Sequence, residues 1–200
     1  MEQRLEPALI QLNRLLEKAS EELQASIQFA LIGGLAVAAW GVIRATQDID
    51  FLANSDPTPL VDTRLRGSLK EFLERNSCYA EWRTGDADDP IRLLLRINLP
   101  PLYGGVGADI VWAHKRWQQE ALQRSVMVEV SNSCVHILHP EDLILMKLDA
   151  GGPQDHLDIQ QMLSASPPQL SIERLREMAK QLRLGKALDK CLREARNPKN

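Results

Sequence analysis

Asp48 and Asp50 stand two residues apart in Arg44-Ala-Thr-Gln-Asp48-Ile-Asp50-Phe-Leu-Ala53, and they are the side chains best suited to chemistry. Positions i and i+2 of a strand share a face, so the two carboxylates converge while Ile49 and Phe51 turn to the core. Two carboxylates held this close repel, and a divalent cation is the usual partner that makes them tolerable. A paired glycine, Gly33-Gly34, lies upstream with thirteen residues between Gly34 and Asp48. A diglycine opening a helix lets backbone N–H groups approach a phosphate closely. Together these parts suit Mg2+ and a nucleoside triphosphate.

A third acid would allow two Mg2+ ions roughly 3.5–4 Å apart, the separation that clamps an in-line displacement at phosphorus. Asp109 is the best candidate, in Gly107-Ala-Asp109-Ile-Val-Trp112, at the start of an apolar strand after a glycine-rich loop. The bland alternative is an aspartate that caps that loop. Arg44 and Thr46, just upstream of the acid pair, either bind phosphate or fix the loop. The four histidines show no metal spacing to one another, and there is no Gly-x-Ser-x-Gly elbow for a serine hydrolase. Trp112 and Trp117 fit core or helix-face packing better than stacking on bases.

These residues need elements to position them. Leu5, Leu9, Leu12, Leu15, Leu16 and Leu23 recur at helical spacing and predict an amphipathic helix over 3–25. An apolar strand over 27–32 is ended by the glycine pair, and an Ala-rich helix follows over 35–40. The acid pair opens a strand over 48–53, and a helix is expected over 58–76. Further strands are expected over 79–83, 91–98, 107–112 and 125–130, with a fifth over 134–138. From Pro140 the character becomes helical, over 141–150, 154–164, 171–184 and 186–196. The fold class is therefore a mixed α/β (α+β) body, residues 1–139, followed by a C-terminal helical unit, residues 140–200.

The composition is that of a soluble globular chain, with 44% hydrophobic and 26% charged residues. The net charge of −3 argues against wholesale coating of nucleic acid. It conceals an asymmetry, because residues 171–200 hold nine Lys/Arg against four Asp/Glu. A basic end beside an acidic body fits a local anionic partner, or simply a solvated helix face. Three scattered cysteines fit free thiols in a reducing cytoplasm. The longest uncharged run, Phe29 to Ile43, is too short to span a bilayer, so no membrane partner is expected. The leucine stripe of the first helix suits packing on the core or a dimer contact, and leaves the oligomeric state open.

Gly33-Gly34, Asp48-x-Asp50 and a single later Asp109 resemble the nucleotidyltransferase superfamily of DNA polymerase beta. Gly33-Gly34-Leu-Ala-Val-Ala-Ala-Trp-Gly41, with Arg44-x-Thr46-x-Asp48-Ile-Asp50, is most similar to the AbiEii-type nucleotidyltransferases, toxins of bacterial toxin–antitoxin pairs. Pro140-Glu-Asp-Leu-Ile-Leu-Met-Lys147-Leu-Asp149 and the following Asp155-x-x-Asp158 resemble that family's helical block. The resemblance covers about residues 27–165. It implies a polymerase-beta-like core that transfers a nucleoside monophosphate from a triphosphate to a hydroxyl. The acceptor would be an RNA 3′ end, a protein or a small molecule.

By the same resemblance Asp48, Asp50 and Asp109 would be the catalytic metal ligands for two Mg2+ ions. Gly33 and Gly34 would seat the triphosphate. Lys147 and Asp149 match a Lys-x-acid element, with Lys147 reaching a phosphate; the alternative for Lys147 is a side chain snorkelling to solvent. A cognate antitoxin would be a partner. The sequence departs from the pattern at Gly34, where many members carry serine, and at Gly152, where relatives often carry a basic residue. A catalytically silent nucleotide- or partner-binding protein of the same fold is the rival reading. An antibiotic-type transferase is a further one.

Overall fold

A computed structural model describes residues 5–43, 45–86 and 88–196; Arg44 lies outside the described residues. The first helix, α1 (Leu5–Glu22), buries Leu5, Leu9, Leu12, Leu15 and Leu16 together with Ala8 and Ala19, a stripe with helical period. It ends at Glu22, and Leu23 packs beside the core from the turn that follows. β1 (Ser26–Ile32) runs directly into α2 (Gly33–Ala39), so the glycine pair ends the strand and opens the helix, as expected, with the helix starting at Gly33 itself. β2 (Ile49–Asp56) extends beyond the expected end because Asn54 and Ser55 still pair with Gln28 and Ile27 of β1.

α3 (Thr63–Arg75) starts later than its flanking prolines predict, since Asp62 supplies the N-cap by accepting from Arg64 N and Leu65 N. β3 (Tyr79–Thr84), β4 (Leu93–Asn98) and β5 (Gly107–Trp112) follow, with a 3₁₀ turn over Pro101–Tyr103 before β5. α4 (Arg116–Gln123) was not expected from periodicity. Its buried residues, Gln118, Ala121 and Leu122, stand at i, i+3 and i+4, a helical spacing confined to a single turn and led by a polar residue. Its entry is fixed instead by the Gln118 side chain, which accepts from His114 N and Lys115 N at 3.0 and 3.1 Å. β6 (Val126–Val130) and β7 (Ser133–Ile137) form the closing hairpin.

The seven strands make one mixed sheet in the order β3-β4-β5-β2-β1-β7-β6. Its register lines up whole rows of side chains. Trp82, Leu95, Ile110, Phe51 and Leu31 are successive neighbours across five strands, continued by Ile137 on β7. This row is the centre of the core: all but Trp82 are buried, and Trp82 donates its indole N–H to Arg66 O of α3. Trp112 is fully buried with its ring 5.4 Å from that of Trp82, so it packs in the core. Truncating Phe51 to alanine in such a core costs about 3–5 kcal/mol, and Leu95 about 2–5 kcal/mol.

Four helices complete the described residues: α5 (Pro140–Ala150), α6 (Pro153–Ala165), α7 (Ile172–Gln181) and α8 (Gly185–Arg196). α5 rests against α2, where Trp40 donates its indole N–H to Leu138 O at 3.0 Å. Charged pairs bind it inward. Asp142 is fully buried and takes the two-pronged guanidinium of Arg124 at 2.6 and 3.2 Å. His156 of α6 bridges α8, with Nε2 2.6 Å from Glu194 and Nδ1 3.5 Å from the Cys191 thiol, which burial pushes up in pKa. No described helix is long and apolar enough to cross a membrane.

Candidate active site

Residues adjacent to the core row project to the opposite face of the sheet, and there the composition inverts. Glu81, Arg96, Asp109, Asp50 and Ile32 are successive neighbours across β3, β4, β5, β2 and β1. β2 starts at Ile49, one residue later than expected, so Asp48 sits just before the strand; β2 and β5 are immediate parallel partners, with Asp50 opposite Asp109 in register. The alternation expected from Asp48-Ile-Asp50-Phe holds, since Ile49 and Phe51 are fully buried while Asp48 is exposed and Asp50 half-buried.

Two glycines leave room for these acids. Gly33 has φ +64°, and a Cβ built on it would stand 2.7 Å from Asp50 Cγ and 2.8 Å from Asp50 Cβ. A side chain is thus excluded both by conformation and by the aspartate. A Cβ at Gly107 would meet Asp48 Oδ1 at 3.2 Å. Thr46 donates its hydroxyl to Asp48 O at 3.3 Å, within the loop that leads to β2.

Asp109 carries a partner that sequence reasoning missed. Arg96 donates from Nε and Nη2 to the two Asp109 carboxylate oxygens at 2.8 and 2.7 Å. The hydrogen bonds and charge of Asp109 hold the Arg96 guanidinium above its ordinary pKa, with Asp48 and Glu81 adding to the attraction. The signal was present in Leu93-Leu-Leu-Arg96-Ile-Asn98, a lone charge in an apolar strand, but its partner depends on strand pairing.

Beside the acids lies a cavity of about 180 Å3. Gly33 and Asp50 line it from the sheet side, and Lys147, Asp149 and Asp155 from the helices. Gly34 is buried and does not line it. Lys147 is 8% exposed and gives its ammonium to Asp158 at 2.6 Å and Asp155 at 3.2 Å, so it neither snorkels to solvent nor stands unpaired. Asp155, at the third position of α6, also accepts from the N–H of Gly152, the N-cap, at 3.2 Å. Asp149 binds Lys115 Nζ at 2.5 Å, a second cation that the sequence did not single out. Next to it, His114 is pushed down in pKa by burial, then by the charges of Lys115 and Arg92.

Carboxylate oxygens are hard donors that suit Mg2+. Asp48 and Asp50 are donors of that kind, with Gly107 beside Asp48 and Gly33 beside Asp50. Among the described residues no three His, Cys, Asp or Glu side chains stand close enough to enclose a metal, and Asp109 is turned to Arg96.

Residues 8–193 match the family described as nucleotidyltransferase of unknown function (DUF6036), and the chain belongs to that family. The fold agrees. The solution structure of the antibiotic-resistance factor ANT(2'')-Ia is 17% identical, with a TM-score of 0.53 over 92% of this chain and 96% of that one. The crystal structure of ANT(2'')-Ia with adenylyl-2''-tobramycin is 16% identical, with a TM-score of 0.51 over 88% and 97%. An antigenic nucleotidyltransferase-like protein from Paracoccidioides brasiliensis is 19% identical, with a TM-score of 0.47 over 92% of each chain. No significant match was found among curated proteins. The mixed sheet flanked by helices is thus a nucleotidyltransferase fold.

Proposed function

We propose that this chain is a Mg2+-dependent nucleotidyltransferase that moves a nucleoside monophosphate from a triphosphate to a hydroxyl and releases pyrophosphate. The observation that carries the reading is the in-register meeting of Asp50 and Asp109 on parallel strands, with Asp48 two residues back, beside the cavity that Gly33 opens. Asp48, Asp50 and Asp109 would hold Mg2+, which neutralises phosphate charge and favours deprotonation of the attacking hydroxyl. Gly33 brings backbone to the cavity wall where a side chain could not fit, and with Gly34 would seat the triphosphate. Lys147 supplies positive charge at the cavity wall, and Lys115 adds its own behind Asp149, which lines the cavity; each is restrained by a carboxylate. They would orient the phosphates, with Asp149 and Asp155 positioning the ammonium groups.

For the acceptor we favour an RNA 3′ end. Arg174, Arg176, Lys180, Arg183, Lys186 and Lys190 are all exposed on α7, α8 and the turn between them, a surface suited to a phosphate backbone. The AbiEii-like motifs support this choice and would make a cognate antitoxin the partner. A small-molecule hydroxyl is the second reading, supported by the fold shared with ANT(2'')-Ia, whose bound product is an adenylylated tobramycin. The test is calorimetric titration of each nucleoside triphosphate with Mg2+, then label transfer to RNA, protein and aminoglycoside acceptors. Binding that disappears in Asp48→Asn/Asp50→Asn, followed by label on RNA, is expected. Absence of Mg2+-dependent binding by the folded wild type would overturn the reading and favour the silent partner-binding protein.

A further inference from the structure

We propose that Gln118 reads the nucleobase of the triphosphate. Its side-chain amide donates into the cavity, toward an acceptor on the edge of the base, a carbonyl oxygen or a ring nitrogen. This inference rests on the nucleoside-triphosphate reading given above.

Beside its charged lining the cavity has an apolar one: Ile32 and Val111 from the sheet, Leu143 and Met146 from α5, and Ile91 from the loop before β4. Val111 follows Asp109 by two residues on the same face of β5, so this lining begins about 7 Å from the acidic row. The volume of about 180 Å3 is the space of about six waters, which takes a flat ring system but not a whole nucleotide. Among the described lining residues Gln118 is the single uncharged polar side chain, and it is 2% exposed. Its Oε1 accepts from His114 N and Lys115 N at 3.0 and 3.1 Å. Only the oxygen of an amide can meet two backbone donors, so the group's orientation is fixed and Nε2 points the other way. Among the described residues Nε2 has no hydrogen-bond partner, nor is it one of the atoms sealed from solvent without one. It therefore faces the cavity with N–H groups to give, and in a largely apolar wall such a donor is costly until a ligand accepts from it. The capping box at the start of α4 does not account for the amide. Glutamate closes such a box equally well and suits a helix N-terminus better; what glutamine adds is the NH2 group.

The experiment is calorimetric titration of the four ribonucleoside triphosphates and of inorganic tripolyphosphate, each with Mg2+, into wild type and Gln118→Glu. The glutamate keeps an oxygen for both backbone N–H groups, so α4 stays capped, while the donor facing the cavity becomes an acceptor. The best-bound nucleoside triphosphate should lose about tenfold to a hundredfold in affinity, and tripolyphosphate should bind as it does to wild type. An unchanged affinity for that triphosphate would overturn the inference. Equal losses for both ligands would also overturn it, because the new charge would then act on the phosphates alone. If wild type binds tripolyphosphate as tightly as every nucleoside triphosphate, the phosphate site stands and only the base reading falls. If wild type binds neither, the nucleotidyltransferase reading falls and this inference with it. A readout in the wild type removes dependence on variant folding. The Gln118 side-chain NH2 resonances should shift as the preferred triphosphate saturates the protein and stay in place under tripolyphosphate. No shift with the triphosphate, or the same shift with both, would overturn the inference.

Discussion

Replacing Gly33 by alanine tests whether the glycine serves the acid beside it or merely the turn it occupies. Two costs add. At φ +64° an alanine sits in the left-handed region, at about 1–2 kcal/mol. The new Cβ would also lie 2.7–2.8 Å from Asp50 Cγ and Cβ, where ordinary contact begins at 3.4 Å. Since Asp50 Cβ is fixed to the β2 backbone, rotation of the carboxylate alone does not relieve the overlap. Strand β2 must give by about 0.6 Å, and overpacking of that kind costs about 1–3 kcal/mol. Gly105→Ala is the control, with φ +63° and nothing within 4 Å of its Cβ, so it carries the conformational cost alone. Gly33→Ala should therefore melt about 2–10 °C below Gly105→Ala for a chain of this size. Displacing Asp50 should weaken Mg2+-triphosphate binding roughly tenfold or more, whereas Gly105→Ala binds like wild type. The assays are calorimetric melting and titration on both variants. Equal melting shifts, or wild-type binding by Gly33→Ala, would refute the reasoning.

Three more outcomes are expected. Arg124→Ala strands the fully buried Asp142 carboxylate, so it should lose about 3–5 kcal/mol in urea unfolding, and a loss under 1 kcal/mol would contradict the buried pair. Lys147→Met should destabilise by a similar amount through Asp158, and Lys147→Met/Asp158→Leu should recover most of it; if triphosphate binding returns with stability, the lysine has no phosphate role. His114 is held below its usual pKa, so the unfolded chain binds more protons near and below pH 6.5. Stability contributed by the neutral ring is thus full above that range and falls as pH drops toward the folded pKa. His114→Gln should flatten that part of the stability–pH curve, and an unchanged slope would exclude His114 as its source.

The elements that show themselves in the sequence are those whose period is written within one segment. The leucine stripe of α1, the alternation Asp48-Ile-Asp50-Phe and the apolar run of β5 each carry their own face, and so the acids were found. α4 is too short and too polar to declare a period, and its anchor is the Gln118 side chain. The glycine pair was legible as the end of a strand and the opening of a helix, but that Gly33 faces the cavity while Gly34 is buried in the first turn of α2 depends on packing that the sequence does not carry. Arg96 and Lys115 escaped notice because their partners, Asp109 and Asp149, lie on other elements. A lone cation acquires its meaning only once register or helix packing decides what it faces.

The position of β5 links assembly of the site to assembly of the molecule. The β1–β2 pair and the β3–β4 hairpin are each antiparallel and sequentially local, but neither touches the other in the sheet except through β5. The strand that seams them together is also the one that delivers Asp109 opposite Asp50. A nascent chain that has not yet extended past Gly107 holds two acids on one half-sheet and Arg96 on the other, with nothing to join them. The acidic row is thus complete only when β5 is paired on both sides. In hydrogen exchange, the amides of β5 should open as one unit, and each opening severs the sheet and dissolves the acidic row together.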